Sequence, residues 1–155
     1  MLLDGGRPKV DTKELKTVIE RAGLKVTSGK ADLGIVVGGD GVFGRCGRTE
    51  SIPLLFVGVR SRKTTGSKAF LASTYFDELP SVLRRIEAGE FTVTEHRKLE
   101  VFKNDKRLGD VFTDVYLQRG GDSNCIRYRV RIAGEGVDIQ EAAIGDGVVV
   151  STSAG

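Results

Sequence analysis

The run Leu33-Gly34-Ile35-Val36-Val37 carries no charged or polar side chain and ends directly in Gly38-Gly39-Asp40-Gly41. An unbroken apolar stretch of that length reads as a strand buried on both faces, as in parallel sheets covered by helices. The three glycines let the backbone turn tightly and bring its amides close to a ligand, with no Cβ in the way. Asp40 then lies at the carboxyl end of a strand, where open α/β sheets place their ligands. A carboxylate there can accept a proton from a substrate hydroxyl or help to position a metal. Gly-Asp-Gly is also good turn chemistry, and a plain turn is the competing reading.

The surrounding pattern supports an α/β start. Asp11 with Glu14 three residues on has the spacing of a capping box, and Leu15, Val18, Ile19 and Ala22 share one helical face that Gly23 can end. Leu24–Val26 is a possible short strand, and Leu54–Val59 after Pro53 is a second buried run. Another helix is expected near 77–88, with Pro80 in its first turn, Leu79, Val82, Leu83 and Ile86 at helical spacing, and Gly89 at its end. From Phe91 the period changes to two. Strands are expected over 98–103 and 111–118, joined around Asn104-Asp105, and over 126–132, where Arg127, Arg129 and Arg131 alternate with apolar residues. Val148-Val149-Val150 reads as a last, buried strand. The expected fold class is α/β, with residues 1–89 forming a Rossmann-like parallel sheet with helices and 90–155 an antiparallel β part.

Composition narrows the function. A net charge of +3, from 24 basic and 21 acidic side chains, excludes a dense basic wrap around nucleic acid. Two widely spaced cysteines and one histidine exclude metal-finger and disulfide-scaffold readings, leaving free thiols suited to the cytoplasm. No apolar run is long enough for a membrane helix, and the amino terminus lacks a signal-peptide pattern. His96 reads as a surface residue and the arginines as a solvated sheet face. No base is paired with Cys46 for nucleophilic work.

Glycine is enriched, at 21 of 155 residues, and a second cluster brackets another carboxylate: Gly145-Asp146-Gly147, followed by three valines and Ser151-Thr152. Hydroxyls after a strand suit ribose or phosphate contacts; a hairpin turn is the alternative. Together the motifs resemble the NAD kinase family. Residues 31–41 are similar to its first signature, and Asp146-Gly147-Val148-Val149-Val150-Ser151-Thr152 is similar to the start of its second. The Glu87–Phe91 segment and the Lys98-Leu99-Glu100-Val101 strand follow the family's order, so the likeness runs from about residue 12 to the end.

The resemblance implies transfer of the terminal phosphate of ATP, or of polyphosphate, to the 2′-hydroxyl of NAD, giving NADP. It implies Asp40 as the catalytic or orienting carboxylate, with Gly38, Gly39 and Gly41 lining the phosphates and Mg²⁺ bridging them. Asp146, Ser151 and Thr152 would contact NAD. The family's Asn-Glu pair falls on Thr113-Asp114, which keeps the acid and replaces the amide by a hydroxyl. Val42-Phe43-Gly44 replaces the usual T-L-L. Where the family has a glycine-rich N-x-G-x-L-G-F-L loop, this chain has a basic segment in which Arg60, Arg62, Lys63 and Lys68 are phosphate candidates, with an exposed solvated loop as the alternative. No residues are expected to form a protein-held metal site. The resemblance also implies a homo-oligomer, a chain lacking the sheet's opening strand before Asp11, and one stopping partway through the second signature. An inactive nucleotide-binding module of the same fold and a lipid kinase sharing Gly-Gly-Asp-Gly are the rival readings.

Overall fold

The computed structural model describes residues 11–59, 69–121 and 124–155, together with the backbone of 2–4. Four strands, β1 (Leu2–Asp4), β2 (Gly34–Gly38), β3 (Leu54–Gly58) and β4 (Thr74–Tyr75), form one all-parallel sheet in that order. Three helices, α1 (Thr12–Arg21), α2 (Asp40–Thr49) and α3 (Leu79–Glu87), cover it. Side chains alternate across a strand, so the two apolar runs supply both faces. Ile35, Val37, Leu55 and Val57 meet Leu15 and Ile19 of α1 and Leu79 and Leu83 of α3. Val36 and Phe56 point the other way, where Val42, Phe43 and Cys46 of α2 pack with Ala69.

The helix ends follow the sequence. The Asp11 carboxylate accepts from the Lys13 and Glu14 amides, at 2.8 and 3.4 Å. At the other end Gly23, with φ of +84°, donates to the Glu20 carbonyl while Leu24 donates to that of Ile19, which is the two-bond Schellman closure. Leu24–Val26, expected as a strand, is irregular because it completes that closure and packs against the core. The sheet also has an opening strand before Asp11, contrary to what the family resemblance implies. Three residues are too few for a periodic signal, and β1 is defined by its parallel register, Leu2 with Ile35 through Asp4 with Val37. Two-residue β4 escaped notice for the same reason.

The remaining strands are antiparallel: β5 (Leu99–Lys103), β6 (Lys106–Val111), β7 (Asp114–Gln118), β8 (Ile126–Gly134), β9 (Val137–Gly145) and β10 (Gly147–Ser151). Asn104 and Asp105 do make the expected turn, both with positive φ (47° and 62°), as a two-residue type I′ connection requires. Its second strand is β6, however, and not 111–118; β7 pairs instead with β10, thirty residues later in the chain. A bulge between Val101 and Phe102 adjusts the β5–β6 register. The 126–132 strand extends into a hairpin with β9, closed at Gly136. Val148–Val150 forms β10 but is not buried. Val149 is 65% exposed and Val150 46%, because a two-stranded ribbon covers only one side. Among the described residues no helix is long and apolar enough to cross a membrane.

A row of rings joins the α/β and β segments. Phe43 of α2 stacks on Phe56 of β3, with centroids 4.5 Å apart, and meets the edge of Phe112 at 5.3 Å. His96, expected at the surface, is exposed, and its ring centroid lies 5.8 Å from that of Phe112. Lys98 then reaches back, its Nζ donating to the Arg48 and Glu50 carbonyls at 3.0 and 3.2 Å. A cation on unpaired carbonyls at a helix C-terminus is favourable. Lys98→Met is therefore expected to lower unfolding free energy by about 1 kcal/mol, read as a fall in the urea midpoint; an unchanged midpoint would discount the cap.

Candidate functional site

The Gly38–Gly41 segment is not a free loop. Gly38 ends β2, Gly39 is the extended N-cap residue (φ −105°, ψ 175°), and Asp40 opens α2. Local sequence spacing predicts no helix here. Gly41, Gly44 and Gly47 lower local helix propensity and obscured a face repeating every three residues. The glycines serve different purposes. A Cβ on Gly38 would lie 2.9 Å from the Val42 side chain, and one on Gly47 would lie 2.8 Å from the Phe112 ring. Both permit close packing. Gly41 has a helical backbone and nothing within 4 Å of where its Cβ would be, so it leaves open space instead.

That space belongs to a cleft of about 670 Å³ that starts at the carboxyl end of β2 and runs along α2. Asp40, Gly41, Gly44, Arg45 and Arg48 form one wall, Phe70 and Leu71 a second. Val111–Asp114 and Ser153–Gly155 close it from the β segment. The Asp40 carboxylate is firmly held. Oδ2 accepts from the Phe70 amide at 3.1 Å and Oδ1 from the Leu71 amide at 2.9 Å. These two bonds span thirty residues and seat the Phe70 ring, 83% exposed, at the rim.

Of the residues singled out from sequence, Asp40, Gly41, Thr113 and Asp114 line this one cleft. Gly38 and Gly39 lie just behind it on the strand–helix junction. Thr152 braces the wall: its hydroxyl donates to the Phe112 carbonyl at 2.6 Å and accepts from the Ala154 amide, while its own amide donates to Thr113. Ser151 precedes it as the last residue of β10, paired with Asp114. Asp146 is not brought into the cleft. It connects β9 to β10, about 16 Å along the strand from Ser151, and its carboxylate pairs with Arg119 at 2.9 Å. Arg60, Arg62, Lys63 and Lys68 lie outside the described residues. Arg45 and Arg48 were missed altogether, although 41, 44, 45 and 48 is the spacing of a single helical face once a helix is started at Asp40.

Cys46, on α2 but turned toward the core, has its thiol pKa pushed up, first by burial and then by Glu50, against a smaller opposite pull from Arg45. Cys125 is exposed. Alkylation with iodoacetamide at neutral pH is expected to label Cys125 first and Cys46 at least several-fold more slowly, since only thiolate reacts; equal rates by mass spectrometry would contradict the packing of Cys46.

Comparison with known proteins bears on what such a cleft is for. The chain is 31% identical over 138 residues to the NAD kinase of Methanopyrus kandleri, covering 87% of this chain and 47% of that one. It is 34% identical over 134 residues to the NAD kinase of Nitrosomonas eutropha, and 25% over 147 residues to that of Thermoplasma volcanium. The chain is a homologue of the NAD kinases. The homology takes in 81% and 95% of this chain in the latter two cases, against 42% and 51% of those relatives. The chain thus spans about half the length of the curated NAD kinases it matches. No family model matches it. In fold it is similar to yeast NADH kinase, solved in complex with NADH, with a TM-score of 0.59 at 22% identity over 81% of this chain and 37% of that one.

Proposed function

We propose that this NAD kinase homologue belongs to a phosphotransferase that moves the terminal phosphate of ATP, or of polyphosphate, onto the 2′-hydroxyl of NAD to give NADP. The observation that carries the reading is the Asp40 carboxylate, fixed by two backbone amides at the wall of the one cleft that also holds Thr113 and Asp114. A carboxylate offers about four acceptor sites; two are taken, so Asp40 can still orient and deprotonate a hydroxyl without searching for its position. Asp114 and the Thr113 hydroxyl suit ribose hydroxyls, and the exposed Phe70 ring offers a flat apolar face to a base. Gly41 leaves the helix surface bare where phosphates approach.

Magnesium would enter with the phosphates. Two carboxylates and a hydroxyl fit an ion that takes most of its ligands from phosphate and water, and it supplies neutralisation of the charge on the transferring group. Asp146, paired at the far end of β10, is left out of the proposed site. A cytoplasmic homo-oligomer is part of the same reading, supported by two unpaired thiols and by Tyr116, Leu117 and Val149, each more than 60% exposed. The test is to incubate the protein with Mg²⁺, NAD and either ATP or polyphosphate and to measure NADP with an NADP-specific dehydrogenase. NADP from either donor supports the reading. Calorimetric binding of NAD or ATP with no NADP would favour a non-catalytic nucleotide-binding module.

A further inference from the structure

We infer that the amino-terminal end of the parallel sheet carries a second binding pocket, which takes the hydrocarbon chain and carboxylate of a medium-chain fatty acid. The pocket, of about 540 Å³, lies beside Leu33 and Pro53, where β2 and β3 begin. That volume is within the ordinary range for small-molecule sites. From Leu33 to Gly38 the chain runs about 16 Å, so the Asp40 junction is at the other end of β2. The pocket and the Asp40 cleft share no lining residue. The inference therefore does not depend on the proposed reaction.

The walls decide the chemistry of the ligand. Ile19 of α1 and Ile35 of β2 supply the buried part of the lining, and Ile86 adds to it from α3. Most of the rest comes from the segment between Leu24 and Leu33, which has no helix or strand. Its apolar side chains pack on the core only in part, which leaves branched aliphatic surface facing the pocket. Phe91 is the one aromatic ring of the lining and is 54% exposed. A planar base seeks aromatic faces, whereas a flexible hydrocarbon chain suits aliphatic walls and would cover the Phe91 ring. Lys25 and Lys30 also line the pocket and are exposed. Among the described residues neither ammonium takes part in an ion pair or a side-chain hydrogen bond. The other polar side chains of the lining are Asp32 and Thr27, and the Thr27 hydroxyl already accepts from the Gly29 amide at 3.1 Å. Two lysines against one carboxylate favour an anionic head over a cationic one.

Calorimetry with decanoate, kept below its micelle concentration, tests the pocket on the full chain. Octanoate, with a shorter chain to bury, is expected to bind about tenfold more weakly. Decyltrimethylammonium, with the opposite charge, should bind about fivefold more weakly or worse. Combining Lys25→Gln with Lys30→Gln should weaken decanoate about fivefold and leave uncharged decanol within about twofold. Lys103→Gln, removing an exposed cation on β5, should leave both within about twofold. Phe91→Ala, at an exposed position, should cost decanoate about fivefold. Ala31→Phe, which adds a ring to the lining, should cost about tenfold or more. Thermal melting identifies any variant that fails to fold, and Phe91→Ala decides if Ala31→Phe does. Methyl resonances of Ile19, Ile35 and Ile86 should shift on titration, while those of Ile132 and Ile139 on the β8–β9 hairpin stay in place. No decanoate binding, equal or tighter binding of the cationic amphiphile, shifts confined to the hairpin, or unchanged binding by the folded Phe91→Ala variant would overturn the pocket. So would a loss in Lys103→Gln equal to that of the paired lysine variant.

Discussion

Asp40→Asn is expected to reduce NADP formation by about two to four orders of magnitude, the usual contribution of a positioned acid–base group. Two effects act together. Asparagine cannot accept a proton from the 2′-hydroxyl. It also presents an NH₂ group to one of the two amides, Phe70 or Leu71, that the carboxylate now binds. A donor facing a donor leaves that bond unmade, so the segment carrying Phe70 loosens as well. The two effects separate experimentally. Amide hydrogen exchange at Phe70 and Leu71 reports the anchoring, while turnover with saturating NAD reports the proton transfer. Turnover within threefold of wild type would remove Asp40 from the reaction, whatever the exchange rates show.

The largest effect on stability is expected from Phe56→Ala, at about 3–5 kcal/mol. Phe56 has no exposed surface and sits beneath α2, in stacking contact with Phe43. Removing the ring leaves a cavity between a central strand and a helix, and neither can collapse into it without moving the Asp40 junction. Phe43 would also lose the surface that orients it toward Phe112. Urea denaturation of wild type and variant measures the loss. Leu108→Ala provides the contrast, since Leu108 is 59% exposed and should change stability by about 0.5 kcal/mol or less. Equal losses in both would mean that the core does not lie where the strands place it.

Where one side of an element is unmistakable, the fold was legible from sequence. The buried runs that became β2 and β3, the capped helix α1, and α3 with Pro80 near its start all follow from local spacing and end chemistry. The Asn104-Asp105 turn was equally clear. Its partner strand was not, because an alternating pattern continues through Val111 and nothing local decides whether 106–111 or 111–118 folds back on β5. The pairing of β7 with β10 is set by contacts between distant residues, such as Thr152 on Phe112 and Thr113. Helix α2 was hidden by its own glycines. Its loss had the greatest consequence for the site, since without a helix at Asp40 there is no reason to group Gly41, Gly44, Arg45 and Arg48. Asp40 could be picked out by its setting between glycines, but its two amide partners lie about thirty residues further along the chain and could not.

The rings running from Phe56 through Phe43 and Phe112 to His96 determine how the polypeptide can be subdivided. Gly89, at the end of α3, looks like the natural place to cut, with an α/β piece before it and a β piece after it. Cutting there would strip Phe112 from the notch at Gly47 and from its contact with Phe43, and take the Lys98 ammonium away from the end of α2. The amino-terminal piece would be left with α2 wetted over the Val36–Phe56 side of the sheet. Expression trials or binding assays on the first 89 residues are then expected to measure a damaged cleft rather than a minimal one.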